Sequence, residues 1–312
     1  MATETLRGAI AKPQPSASLW RDAFARLRKN RLAMIGLILV LFVLFIAIFG
    51  SFLAPYPYQD QDLKAVLANK NQPAPPFSAG HILGTDQIGR DLLSRLMDGA
   101  RISMSVAIVV QIVVLLLGVP IGAMAGWFGG RIDNILMRFT DVMYAFPDLL
   151  FIILLTVVFR ETPIGHAMDG LLLVFIAIGL TSWVTVARLV RGQLLSLKET
   201  EFVEAARAIG VSDRKIVTRH LLPNGIGPII VAITLGIPAA ILAEATLAYI
   251  GIGVQAPRAS WGSLINDGQA VIRSSPWLTF FPAVAIAVAL ISFTFLGDGL
   301  RDALDPKLKG KQ

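Results

Sequence analysis

The sequence predicts an all-α integral membrane protein with six transmembrane helices, and three observations carry that expectation. Of its 312 residues, 55% are hydrophobic and only 16% charged, with a mean hydropathy of +0.67, whereas a soluble domain carries about 25% charged residues. The apolar residues gather into uncharged runs long enough to cross a hydrocarbon core, which takes roughly 20 helical residues. Lys and Arg are divided unevenly among the segments that join those runs.

Residues 1 to 31 are polar and basic, with Arg21, Arg26, Arg28, Lys29 and Arg31 crowded before the uncharged stretch Leu32 to Leu53. That stretch, within 32–54, reads as a first span, since a cleavable signal has an apolar region of only about 7–15 residues close to the start of the chain. Residues 55–101 form a Pro-rich extracytoplasmic segment that ends in a helical pattern. Ile88, Leu92 and Leu96 lie opposite Arg90, Asp91, Arg95 and Asp98. An amphipathic helix along the membrane interface is expected there, with Gly84 and Asp86 as turn and helix cap and Asp91 paired with Arg95 at i, i+4. Residues 102–297 hold five further spans, from Ile102 to near Ala125, then at about 142–159, 171–187 and 229–250, and last from Trp277 to Leu296. Pro120 and Pro147 are placed to kink or break helices. Residues 298–312 are a polar tail.

Six spans put both termini on one side. With the termini inside, the cytoplasmic segments hold 20 Lys and Arg and the outside segments 8. The bias of basic residues toward the cytoplasm selects that orientation, and it also accounts for the formal net charge of +7 without a nucleic-acid partner. No repeat of the kind that builds secondary transporters is visible.

Several chemistries are excluded. There is no cysteine, which rules out disulfides and thiolate sites. No G-x-x-x-x-G-K-[ST] phosphate loop occurs, so the chain has no nucleotide site of that kind. His81, His166 and His220 fall in separate segments, with neither H-E-x-x-H nor G-x-S-x-G. The expectation is a non-catalytic subunit with no metal, catalytic residue or cofactor of its own.

The most informative stretch, Lys198 to Pro228, lies between the fourth and fifth spans. Phe202, Val203, Ala206 and Ile209 recur at helical spacing, Gly210 suits a helix C-cap, and Ser212 or Asp213 can cap a second short helix that Pro223 ends. Glu204, Ala205 and Ala206, then Gly210, then Leu222 and Pro223 resemble the EAA signature of the permease subunits of bacterial ABC importers. His220 stands where the general pattern has Ile, and the run Arg219 to Asn224 is similar to the variant of the dipeptide, oligopeptide and nickel branch.

His81 to Ser103, Glu244 to Gly253, Pro257 to Gly262 and Gly297 to Lys307 are also similar to that branch, in its C-type subunit, so the resemblance covers nearly the whole chain. It implies the type I importer transmembrane fold and a cytoplasmic coupling helix at about 201–220. It implies that ATP and Mg are bound by two separate ATP-binding subunits. A second, non-identical permease, an extracytoplasmic substrate-binding protein and membrane lipid complete the partners, in a bacterial inner membrane. Peptide is the expected cargo, with nickel, glutathione or opine-type substrates as alternatives. A channel, a secondary transporter and a membrane enzyme are the competing classes.

Two charges near or inside spans stand apart. Glu244 is the one charge between Leu221 and Val254, and an ionisable residue in a span is a functional candidate. It is read either as a contact in the substrate pathway or as a structural hydrogen bond to a neighbouring helix in an assembled dimer. Arg188, at the end of the fourth span, is expected to snorkel to the interface.

Overall fold

The computed structural model describes residues 19–305, and among them it is helical, with three isolated bridges between residues 61 and 91 and no β-strand. Eleven helices organise it: α1 Leu19–Lys29, α2 Arg31–Leu53, α3 Leu63–Ala68, α4 Leu92–Phe128, α5 Gly130–Ala145, α6 Asp148–Phe159, α7 Leu171–Lys198, α8 Glu201–Ala208, α9 Ile226–Tyr249, α10 Trp261–Gln269 and α11 Trp277–Leu304. Asn30 separates α1 from α2 and caps the latter, its side chain accepting from the Ala33 N–H at 3.2 Å. That bond satisfies one of the N–H groups a helix start leaves unpaired.

Five helices are long and apolar enough to cross a membrane on their own, and the pair α5 and α6 makes a sixth if counted as one bent span. This is where the expected third span, 142–159, departs from a single rod. Its two halves belong to helices bent by 83°, and the break falls at Phe146 and Pro147, between Ala145 and Asp148. Proline supplies no N–H and disfavours helical geometry in the residue before it. The 12 residues of α6 reach only about 18 Å, short of a hydrocarbon core of roughly 30 Å. Pro120, by contrast, sits inside an uninterrupted α4.

The fourth span runs on to Lys198 and the last to Leu304, beyond the apolar limits at 187 and 296. The extensions are amphipathic and pack against protein. α4 and α7 make the most extensive helix pair, and a stripe of small residues on α4 explains it. A Cβ on Gly118 would sit 3.0 Å from the Trp183 carbonyl oxygen, one on Gly122 would overlap the Ala187 carbonyl, and one on Gly126 would sit 2.9 Å from that of Arg191. Glycine every fourth residue lets two backbones touch, which matters in a bilayer because lipid is as apolar as leucine and burial alone does not bring helices together.

α2 packs on α4 and α11, and α1 folds back onto the end of α11 through Ala23, Leu27, Ala33 and Ala303. The Arg26 guanidinium donates to the Asp305 carbonyl at 3.2 Å. Both ends of the described chain therefore lie at one end of the bundle, together with α8. The 54–91 segment and α10 lie at the other.

Candidate functional site

At the end that carries the termini, α7 leads through Glu199 and Thr200 into α8. Val203 and Ala206 are buried in one cluster with Leu194, Ile216 and Leu221. Glu204, Ala205 and Phe202 face outward, and Ile209 is 80% exposed. The helix closes with paired backbone bonds, Val211 N–H to Ala206 carbonyl at 3.0 Å and Gly210 N–H to Arg207 carbonyl at 2.9 Å, around Gly210 at φ +78°. A β-carbon resists that left-handed conformation. No atom lies within 4 Å of where the Gly210 Cβ would be, so the requirement for glycine is one of backbone angle and not of space.

The second arm does not end at Pro223. Asp213–Lys215 is followed by a π-helical turn, Ile216–Leu221, and a last helical turn, Leu222–Asn224. The Leu222 N–H bonds the Val217 carbonyl, five residues back. Widening the turn accommodates a proline that can supply no bond of its own, and the chain breaks at Gly225 instead. Ser212 occupies the cap position without a side-chain bond to the backbone. Trp127, at the end of α4, fastens the whole arm. The Arg207 guanidinium lies 4.7 Å from its ring centre, and Lys198 Nζ donates to its carbonyl at 3.1 Å. The result is a rigid knob with a small-residue, partly apolar face and a free carboxylate.

Above α5, two arginines of α7 reach sideways, Arg188, which the sequence placed at the interface, and Arg191. Arg191 binds Asp133 in a bidentate fork at 2.5 and 2.7 Å. Arg188 donates to Asp141 at 2.7 Å and lies 4.7 Å from the Tyr144 ring centre. Arg188 is therefore paired within the chain to a neighbouring helix.

At the opposite end the expected interfacial helix is absent. The Ile88 to Asp98 pattern belongs to the start of α4 and the loop before it, and its polar side is the buried side, with Arg95 and Asp86 each 3% exposed. Asp91 and Arg95 do not pair. Asp91 caps α4, Oδ2 accepting from the Ser94 N–H and hydroxyl at 2.7 Å each, while its Oδ1 lies 2.9 Å from His81 Nδ1. Asp86, expected as the cap, closes the preceding turn by accepting from the Ile88 and Arg90 N–H groups at 3.0 and 2.9 Å. It also binds Arg90 Nε at 2.6 Å and Arg95 Nη1 at 2.7 Å. Asp267 on α10 joins Arg95 at 3.1 Å. The loop is thereby bolted to both α4 and α10. Asp62, which caps α3 by accepting from Ala65 N–H at 3.0 Å, has its carboxyl held below the usual value chiefly by that bond.

Glu244 on α9 is 2% exposed and accepts from the Ser103 hydroxyl of α4 at 3.1 Å. Ser103 in turn accepts from the backbone N–H of Trp261 at 3.3 Å, the first residue of α10, which Ser260 and Ser263 close with reciprocal capping bonds. The Trp261 indole donates to the Leu96 carbonyl at 3.1 Å. The candidate pathway carboxyl thus faces three helices of its own chain and no open space. Ser103, Ser260 and Trp261 were not anticipated as its partners, although Ser-x-x-Ser at 260–263 is a readable cap signal.

Residues 118–310 match the family described as the binding-protein-dependent transport system inner membrane component, and residues 18–74 match the N-terminal transmembrane domain of oligopeptide transport permease C. The chain belongs to this permease family. Among curated relatives of the family, the oligopeptide transport system permease protein OppC of Bacillus subtilis is 43% identical over 94% of this chain and 92% of its own. The dipeptide permease DppC of the same organism is 45% identical over 98% and 91%. The glutathione permease GsiD of Escherichia coli O6:K15:H31 is 36% identical over 96% and 95%. A solved inward-facing methionine importer, MetNI, superposes with a TM-score of 0.55 at 18% identity, covering 69% of this chain and 96% of that one, which supports the type I permease fold. Within the permease match lie α5 to α11 and the Gly118, Gly122 and Gly126 stripe, so the family segment is the part of the chain built around the α4 and α7 contact.

Proposed function

We propose that this chain is one permease subunit of an ATP-driven importer of di- or oligopeptides. With a second, non-identical permease it forms the membrane pathway. Two ATP-binding subunits, holding ATP and Mg, power it, one of them docking on its α8 arm, and an extracytoplasmic binding protein delivers cargo at the opposite end. The observation that carries this reading is the rigid knob between α7 and α9, presenting Glu204, Ala205 and Ile209 outward at the end of the bundle where the termini lie. Exposed apolar and small residues on a rigid helix suit a protein groove, and the excess of basic residues in the segments at that end supports a cytoplasmic setting for it.

Leu222 and Pro223 shape the second arm, and Ala206 seats α8 on the bundle. Glu204 and Ala205 make the contact, and Gly210 sets the angle between the arms. For Glu244 the bond to Ser103 favours a fastening role over a pathway contact. The peptide permeases among the relatives favour peptide cargo, and glutathione is the second choice.

Co-purification from the native membrane tests the reading. Wild type is expected to recover a second permease and an ATPase, and a Gly210→Asp, Glu204→Arg double variant to lose the ATPase while keeping the permease. Recovery of no nucleotide-binding protein from an intact wild-type complex would replace the reading with a channel or secondary transporter.

A further inference from the structure

One buried charge has no use in the arrangement above. Asp98, on α4, is 4% exposed, and among the described residues its buried Oδ2 has no hydrogen-bond partner and its carboxylate forms no ion pair within 4 Å. A carboxylate removed from water is ordinarily paired, because an unsatisfied one is costly. The guanidiniums of Arg258, Arg101 and Arg95 lie within electrostatic reach of it. Arg95 is already bound by Asp86 and Asp267. Arg101 is exposed and rides on α4 itself, so its relation to Asp98 is fixed.

Arg258 is the remaining candidate. It sits in the connection between α9 and α10, and its Nε binds Asp169 Oδ2 at 3.1 Å. Asp169 belongs to the connection between α6 and α7, where Met168 and Asp169 both adopt left-handed backbone, φ 55° and 58°. Two successive residues with β-carbons in that region are strained, so the loop is held from outside itself. The holding bonds are the Arg258 pair and the Gln255 N–H to Asp169 carbonyl bond at 2.9 Å, both from the α9–α10 connection.

We propose that Arg258 is a two-position latch at the binding-protein end of the pathway. It closes on Asp169 in this conformation and moves to Asp98 when the two connections part. The inference rests on the chain's being a permease that alternates between two states. An unpaired Asp98 disfavours the closed state, and pairing with Arg258 in the open state offsets the lost Asp169 bond. Released from Arg258, the Met168–Asp169 turn relaxes, which favours opening further. Such a device keeps two states close in free energy, so that ATP and cargo can tip the balance.

The absence of cysteine permits a direct test. Spin labels at Met168→Cys and Ile250→Cys, 60% and 47% exposed, report the separation of the two connections in the complete importer in nanodiscs, nucleotide-free and trapped with ATP and vanadate. Asp169→Asn is expected to raise the open population about tenfold without nucleotide, within the usual range of coupling between sites. Asp98→Asn is expected to lower the open population in the opening state by a similar factor and to slow peptide uptake with it. With Arg258→Gln already in place, Asp98→Asn is expected to add nothing, whereas Asp98→Glu alone restores opening.

An Asp98→Asn importer with wild-type distances and uptake overturns the latch. So does an undiminished Asp98→Asn effect in the Arg258→Gln background, or an effect reproduced by Arg101→Gln instead. A wild type whose labels respond neither to ATP nor to binding protein overturns the permease reading and the latch with it.

Discussion

Two stretches of this chain read alike in sequence and fold to opposite ends. Residues 88–98 and 201–209 both alternate apolar and charged side chains with helical spacing. The first turns its charges inward, so that Asp86, Arg90, Arg95 and Asp267 form a network against α4 and α10. The second turns Val203 and Ala206 inward and leaves Glu204 outside. Periodicity identifies a two-faced helix but not which face the protein takes. The deciding information lies in distant residues. Asp267 is 172 residues from Arg95, whereas among the described residues no charged side chain pairs with Glu204. Charges that answer one another hold this chain together, and a charge left unanswered is available to another chain.

That contrast is broken most severely at the buried network. Asp86→Ala removes the acceptor of four bonds and leaves two guanidiniums under-paired, at a cost of about 3–5 kcal/mol. The expected outcome is loss of most folded protein from the membrane, or a large fall in melting temperature in detergent. Ser103→Ala, which removes one of the hydroxyl donors to Glu244, is expected to cost about 1–3 kcal/mol and to loosen α10, read as faster proteolysis of the 250–276 connection.

At the exposed arm the stability effects shrink while the partner effects grow. Gly210→Ala places a β-carbon in left-handed backbone at a cost of about 1–2 kcal/mol, with weaker ATPase recovery, and Gly210→Asn is expected to be milder. Glu204→Gln is expected to move stability by less than about 0.5 kcal/mol yet to impair ATPase capture, a split that equal losses of both would refute.

Acid provides the mildest probe. The folded Asp62 carboxyl is held low by the Ala65 N–H, so its contribution is present above the unfolded value and is lost as pH falls through the folded one. Protection of the Ala65 amide against hydrogen exchange is expected to drop below about pH 4, and Asp62→Asn to abolish that dependence.

The legible parts of this fold were those written in local runs. The uncharged stretches mark α2, α4, α7, α9 and α11, and the Glu204 to Pro223 spacing marks the arm. Hidden parts depended on contacts far along the chain. The break before Asp148 was readable as Pro147, but the 83° size of the bend has no signature in the local run. The extension of α7 past Arg188 was hidden because Asp133 and Asp141, which neutralise it, lie some 50 residues earlier. Glu244 stood out as a charge in an apolar run, but its partner Ser103 is 141 residues away and is an ordinary serine in an apolar helix.

The close seating of α2 on α11 bears on how the chain is made. Cβ atoms at Gly36 and Gly299 would meet Ser292 and Ala33 respectively, so the first span needs close backbone contact with the last as well as its seat on α4. During synthesis α2 leaves the ribosome roughly 240 residues before the helix that receives it, and a chain stopped after α10 has an occupied membrane with an empty berth. The first span thus waits for its last neighbour until α11 is made, and the same helix completes the packing of α9 and α10.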